Sequence, residues 1–218
     1  MAEMLRNPDS SEKHLSASRR HQRLCRRIRE AEFLIAAIEP HHNRLVATMA
    51  GKNQANDAEE DARDDLDAQG REAADTLRTT SERAKQHDRD NLGSNAHSTI
   101  FPEGGFGPYL NSNGTPSAAS CNIIATRIQS LGPSHDLATL GTDIKTHGDA
   151  LDTGQTNLES ALRARKLAEA EDELAQAALR RAYEENWLDA QKKFGKAADR
   201  LFPRLRKRRS NDDEPEGG

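Results

Sequence analysis

The sequence predicts an all-α protein, an elongated antiparallel helical bundle of coiled-coil character that reads as two tandem helical hairpins. Three observations carry that expectation. Only 34% of the 218 residues are hydrophobic and 31% are charged. An ordinary soluble domain is roughly 45–50% apolar, so a broad spherical core cannot be filled, and a thin core shared along helices is the remaining solution. Outside one central loop the apolar residues recur in steps of three and four, the spacing of one helix face. The apolar/polar alternation of β-branched residues that marks a strand is scarce.

Residues 1–10 are expected to be flexible, with Ser10 or Ser11 capping the first helix. From Leu24 the stripe runs Ile28, Ala31, Ile35, Ile38, His42, Leu45 and Met49, and extended backward it meets His21, Ala17 and His14. Because the stripe keeps phase through Pro40, a kink is expected there and not a stop, the alternative being a break with Pro40 opening a second helix. Glu39 and His42 make one Glu-x-x-His spacing, but a di-iron bundle needs two. His21 and His42 therefore read as polar residues that set helix register, and no metal or other cofactor is expected.

A hairpin turn is expected at Gly51, followed by a second helix with Ala55, Ala58, Ala62, Leu66, Ala73, Leu77 and Ala84. Small residues bury little area, so this seam is weak. Gly93 reads as its C-terminal glycine, which closes a first hairpin spanning 11–98.

Residues 99–117, TIFPEGGFGPYLNSNGTPS, interrupt the helical rhythm with four glycines and three prolines. They contain neither GxxxxGK[ST] nor GxGxxG, so they are no phosphate loop. Phe101, Phe106 and Tyr109 read as a plug over the bundle end, with a partner-binding site as the functional alternative. LGSNAHSTIFP, ending at Pro102, is echoed by FGKAADRLFP, ending at Pro203, a repeat of about 101 residues. The loop is then the joint between two halves.

The second hairpin is assigned to 118–203. Thr115 is the expected cap with Pro116 at the first helical position, followed by Cys121, Ile123, Ile124, Ile128 and Leu131. Leu131-Gly132-Pro133 stops that helix, and another restarts near Ser134. The repeat places a turn at Leu151–Gly154, the alternative being one unbroken helix from about 135 to 202 with Gly141, Gly148 and Gly154 inside it. The apolar pattern shifts phase between Leu162 and Tyr183. Residues 204–218, basic and then acidic, have the composition of a disordered tail.

Cys25 and Cys121 are isolated, so they form neither a disulfide framework nor a zinc site. The longest apolar run is Phe33–Ile38, far short of the roughly 20 residues of a membrane span, and no secretory signal opens the chain, so a cytoplasmic protein is expected. Without a nucleophile elbow, ligand cluster or cofactor fingerprint, an enzyme is not expected.

What remains is a structural or interaction protein acting through self-association or partner-helix packing. Ile35, Ile38 and Leu45 are the stripe offered to a second copy, giving a homo-oligomer or a complex with a protein partner. The alternative, not favoured, is a binder of nucleic acid or another polyanion. Residues 13–29 carry Lys13, Arg19, Arg20, Arg23, Arg26, Arg27 and Arg29 with no acid. In the hairpin topology they share an end with Lys192, Lys193, Lys196, Arg200, Arg204, Arg206, Lys207, Arg208 and Arg209, forming a basic pole, while Asp57–Asp75 forms an acidic one.

Overall fold

A serine opens each of two helices of intermediate length. Ser10 Oγ accepts from the Lys13 amide at 3.4 Å at the start of α1 (Ser11–Cys25). Ser117 Oγ accepts from the Ser120 amide at 3.1 Å at the start of α4 (Ala118–Gln129). Each satisfies an amide that has no partner within the helix. Thr115, the expected cap, lies too early: Asn111 N donates to its carbonyl at 2.8 Å, and an isolated bridge pairs Pro116 with Leu110, which delays the helix.

These elements belong to a computed structural model that describes residues 4–203. Of the described residues 80% are helical, and none forms a strand. Two long helices, α2 (Glu32–Asp90, 59 residues) and α5 (Ala138–Phe194, 57 residues), dominate an all-α helical bundle, with α3 (Ala96–Ile100) between α2 and α4.

The first stripe does not continue in one helix through Pro40. The chain breaks after Cys25, Ile28 takes extended backbone (φ −129°, ψ 108°), and a 3₁₀ turn over Arg29–Ala31 leads into α2, which contains Pro40. Two forces favour the corner. Arg23, Arg26 and Arg27 would stack like charges at i, i+3 and i+4 in a longer helix. Turning back also lets the stripe bury against itself, and Ser18 Oγ meets His42 Nδ1 at 3.2 Å across α1 and α2.

Neither hairpin turn forms. Gly51 lies inside α2, and Gly141, Gly148 and Gly154 lie inside α5, so the unbroken-helix alternative holds as far as Phe194. Interior glycine costs a helix about 1 kcal/mol, too little to break one packed along its length. The glycines differ in purpose. A Cβ on Gly51 would meet nothing within 4 Å, whereas one on Gly148 would stand 3.1 Å from Cys121 Cβ and 3.4 Å from the Ala118 carbonyl. Gly148 is therefore what lets α4 lie close on α5. Gly51→Ala is expected to raise unfolding stability by about 1 kcal/mol, and Gly148→Ala to lower it despite the gain in helix propensity. Urea unfolding of the two variants checks the opposite signs.

The chain divides into two units, one comprising residues up to Gln54 and from Lys166, the other Ala55–Arg165. In the first, α1 and the start of α2 enclose a core with the end of α5. Leu15, Leu34, Ile38, Leu45, Leu179, Tyr183 and Phe202 are buried there, and Leu5, in the stretch expected to be flexible, joins them at 5% exposure. In the second, the end of α2 packs with α3, α4 and the start of α5 around Leu77, Ile100, Phe101, Ile124, Ile128 and Ile144.

The repeat of about 101 residues has a structural counterpart, but the repeated piece is not a hairpin. It is a serine-capped short helix, a corner, a long helix, a glycine in the left-handed region and a buried Ile/Leu-Phe pair. Gly93 has φ 94° and Gly195 φ 57°. Ile100 and Phe101 close the second unit, and Leu201 and Phe202 close the first after a 3₁₀ segment over Gly195–Leu201. Each unit therefore combines the beginning of one repeat with the end of the other.

Candidate interaction surfaces

One face of α1 is buried through His14, Leu15, Ala17, Ser18, His21, Gln22 and Cys25, which leaves Arg19, Arg20 and Arg23 on its exposed face, with Arg26 and Arg27 exposed just past its end. The 3₁₀ segment packs against this helix. His21 Nδ1 donates to the Leu201 carbonyl at 2.8 Å, and the His21 and Phe202 rings stack at 4.2 Å. A cleft of about 240 Å³ lies along the junction, lined by Arg20, Arg23, Leu24, Arg27 and Pro203. The arginines of residues 19–27 and the basic residues Lys192, Lys193, Lys196 and Arg200 belong to the same unit. Arg204, Arg206, Lys207, Arg208 and Arg209 follow Pro203 directly in sequence but lie outside the described residues. Asp57–Asp75, the expected acidic pole, belongs to the other unit.

Beneath this face is a cluster that no sequence spacing announced. Asn186 Nδ2 donates to His21 Nε2 at 3.1 Å and to the Leu34 carbonyl at 2.7 Å, and Cys25 Sγ lies 3.7 Å from His21 Nδ1. Cys, His and Asn are the residue types of a thiol nucleophile with its base and orienting amide. Here all three are buried. Burial pushes the Cys25 thiol up to about 12 and pulls the His21 imidazole down to about 4, so at neutral pH the pair is thiol and neutral imidazole. A reactive cysteine needs the opposite state and access to solvent. The cluster ties three helices together.

A second buried polar group, Asp172, is 1% exposed and was equally invisible beforehand. It accepts from Ser11 Oγ at 2.7 Å, Gln176 Nε2 at 3.0 Å and Thr48 Oγ1 at 3.3 Å, with Lys52 Nζ at 3.9 Å. Bonds from α1, α2 and α5 satisfy a carboxylate that would otherwise be costly to bury. Among the described residues no group of three or more His, Cys, Asp or Glu side chains is placed to hold a metal ion.

The aromatic loop falls on the second unit. Phe101 is buried at 1% exposure against the Tyr109 ring, 6.0 Å between centroids, and so lies within the core of this unit. Phe106 and Tyr109 are half-buried on the same core. Both rings already face cations of their own chain, Arg78 over Phe106 at 5.8 Å and Arg127 over Tyr109 at 5.5 Å. Arg127 also donates to the Ile100 carbonyl at 3.1 Å, and the Tyr109 hydroxyl donates to Glu103. That hydroxyl, with Arg127 beside it, holds the Glu103 carboxyl below the usual carboxylate range.

No protein-family model, curated protein or solved structure matches this chain. Its surfaces must be read from their own chemistry.

The stripe expected to face a second copy is not at the surface. Ile38 and Leu45 are fully buried in the first unit and Ile35 packs against them, because the corner after Cys25 turns α1 onto them. Phe33 and Val46 of α2 are 40% and 38% exposed, and the most exposed large apolar residues of this unit lie elsewhere. Leu167, Leu174 and Leu188 of α5 are 68%, 64% and 54% exposed, seven and fourteen residues apart. The signal in the sequence was the phase shift between Leu162 and Tyr183: the end of α5 carries two apolar stripes, one turned inward and one outward. No helix among the described residues is long and apolar enough to cross a membrane.

Proposed function

We propose that this chain is a non-enzymatic helical interaction protein that works by packing the outward face of α5 against another helix, in self-association or with a protein partner. The observation that carries the reading is the spacing of the exposed Leu167, Leu174 and Leu188, which fall on one heptad position of a helix already packed on its other side. Each leucine gains roughly 1.5–3 kcal/mol when fully buried, so the face is costly to leave in water. Both cysteines are unpaired, in keeping with a reducing compartment, and we assign the protein to the cytoplasm. Light scattering across a dilution series tests the reading, with a mass above that of one chain as the expected result.

A second reading, polyanion binding, is favoured by the cleft where Arg20, Arg23 and Arg27 meet Pro203 and the chain continues into a basic run. Nucleic acid is the polyanion to test. Replacing Arg19, Arg23, Arg26 and Arg27 with glutamine is expected to weaken DNA or RNA retention at low salt. The slope of log affinity against log salt should become shallower by roughly 0.7–0.9 for each arginine that had neutralised a phosphate. Unchanged retention and slope would make the arginines a solvated surface.

A further inference from the structure

The outward face of α5 carries more than leucines. In the heptad that places Leu167, Leu174, Arg181 and Leu188 at its first core position, the second core position holds Ala170, Ala177, Glu184 and Gln191, and all eight residues are exposed. This is a complete seam of about three and a half heptads without a partner among the described residues.

We infer that this seam pairs with the same seam of a second copy of the chain, in parallel and in register, an inference that rests on the helix-packing reading above. Charge decides both the occupant and the direction. In a parallel pair, the residue preceding each first core position faces the residue five further along the other chain. Lys166 then meets Glu171 of the second copy, Arg180 meets its Glu185, Trp187 meets its Lys192, and Glu173 meets the neutral Ala178. No flanking pair sets like charges together, and every favourable pair occurs twice by symmetry. An antiparallel pair with the core layers aligned would set Arg180 on Arg180 and Glu171 against Glu185.

The polar layer fixes the register. In a parallel pair, Arg181 inserts beside Glu184 of the second copy and the reverse, two reciprocal contacts that partly offset the Arg181–Arg181 and Glu184–Glu184 approaches. A slip of one heptad would instead bury Arg181 against a leucine layer, leaving its charge unpaired. The leucine and alanine layers supply attraction, and the Arg181/Glu184 layer excludes other alignments at some cost in affinity.

The test uses the full chain in sedimentation equilibrium, with melting curves to confirm that each variant folds; the substituted side chains are exposed in the single chain. Wild type is expected to dimerise reversibly. Leu174→Lys, which removes a buried leucine from both copies, should weaken the dimer by about a hundredfold or more. Glu171→Lys should weaken it by about tenfold, and adding Lys166→Glu should restore it. Mild oxidation of a Leu174→Cys variant should give a covalent dimer. Wild type serves as its control, because Cys25 and Cys121 are 0% and 1% exposed. A wild type that stays monomeric at every concentration overturns this inference together with the self-association reading. A dimer indifferent to Leu174→Lys leaves self-association standing and overturns the seam. A dimer tightened by Glu171→Lys, or one in which Leu174→Cys does not cross-link, overturns the parallel direction.

Discussion

Truncating Phe202 to alanine is expected to destabilise the protein by roughly 3–5 kcal/mol, the usual cost of removing a buried aromatic. Phe202 is 3% exposed. Its ring stacks on His21 at 4.2 Å and meets the edges of Tyr183 at 5.2 Å and Trp187 at 5.1 Å. The substitution removes the shared contact of α1 and α5 and leaves a cavity lined by rings that cannot collapse into it. Urea unfolding of Phe202→Ala beside wild type is the measurement. A loss below about 1 kcal/mol would mean that the Gly195–Leu201 segment does not close this unit in solution.

The second large effect is acid lability. His21 is buried and neutral, its Nδ1 hydrogen bonded to the Leu201 carbonyl and its Nε2 accepting from Asn186. Burial lowers it from the ordinary 6.5 to about 4, more than the carbonyl raises it. Between those values the unfolded chain binds the proton and the folded chain does not, so stability must fall as pH falls. The contribution is complete above about pH 6.5, is lost progressively on acidification, and is gone below about pH 4. At 1.36 kcal/mol per pKa unit it amounts to about 3 kcal/mol. His14, His42 and His97 are also lowered by burial and act in the same direction. Unfolding free energy measured from pH 7 to pH 4 should show this slope, and His21→Gln should flatten it. An equal slope in the variant would assign the acid sensitivity to the other lowered histidines and the carboxylates.

Much of the architecture was written locally. A serine cap at Ser10 or Ser11 and Gly93 as a glycine past the end of α2 follow from side-chain reach and backbone freedom within a few residues, and Ser10 and Gly93 are observed in those places. The Phe-Pro echo was equally legible, since an apolar pair after a glycine has one use in a helical protein with few aromatics, which is to close an end. The turn at Gly51 was misread because a solvent-exposed glycine and a turn glycine look alike in a sequence. The continuous neighbours on both sides of α2 decide between them.

For the candidate surfaces the division is sharper. The arginines of α1 were visible as an acid-free run, and their exposure followed from the stripe on the opposite side of the helix. That Pro203 and the 3₁₀ segment would lie against that helix was not visible, because the His21–Leu201 bond joins residues 180 apart in the chain. The sequence by itself determined the all-α class, the start of α1 and the places where charge collects, because each depends on interactions within a turn or two of helix. Only the tertiary structure decided which stripe is buried. Leu45 and Leu174 are the same residue in equally helical surroundings, and one lies at 0% and the other at 64% exposure. The corner after Cys25 brings α1 onto Leu45 and Leu174 is left exposed, a choice made by contacts far apart in the chain that no local pattern records.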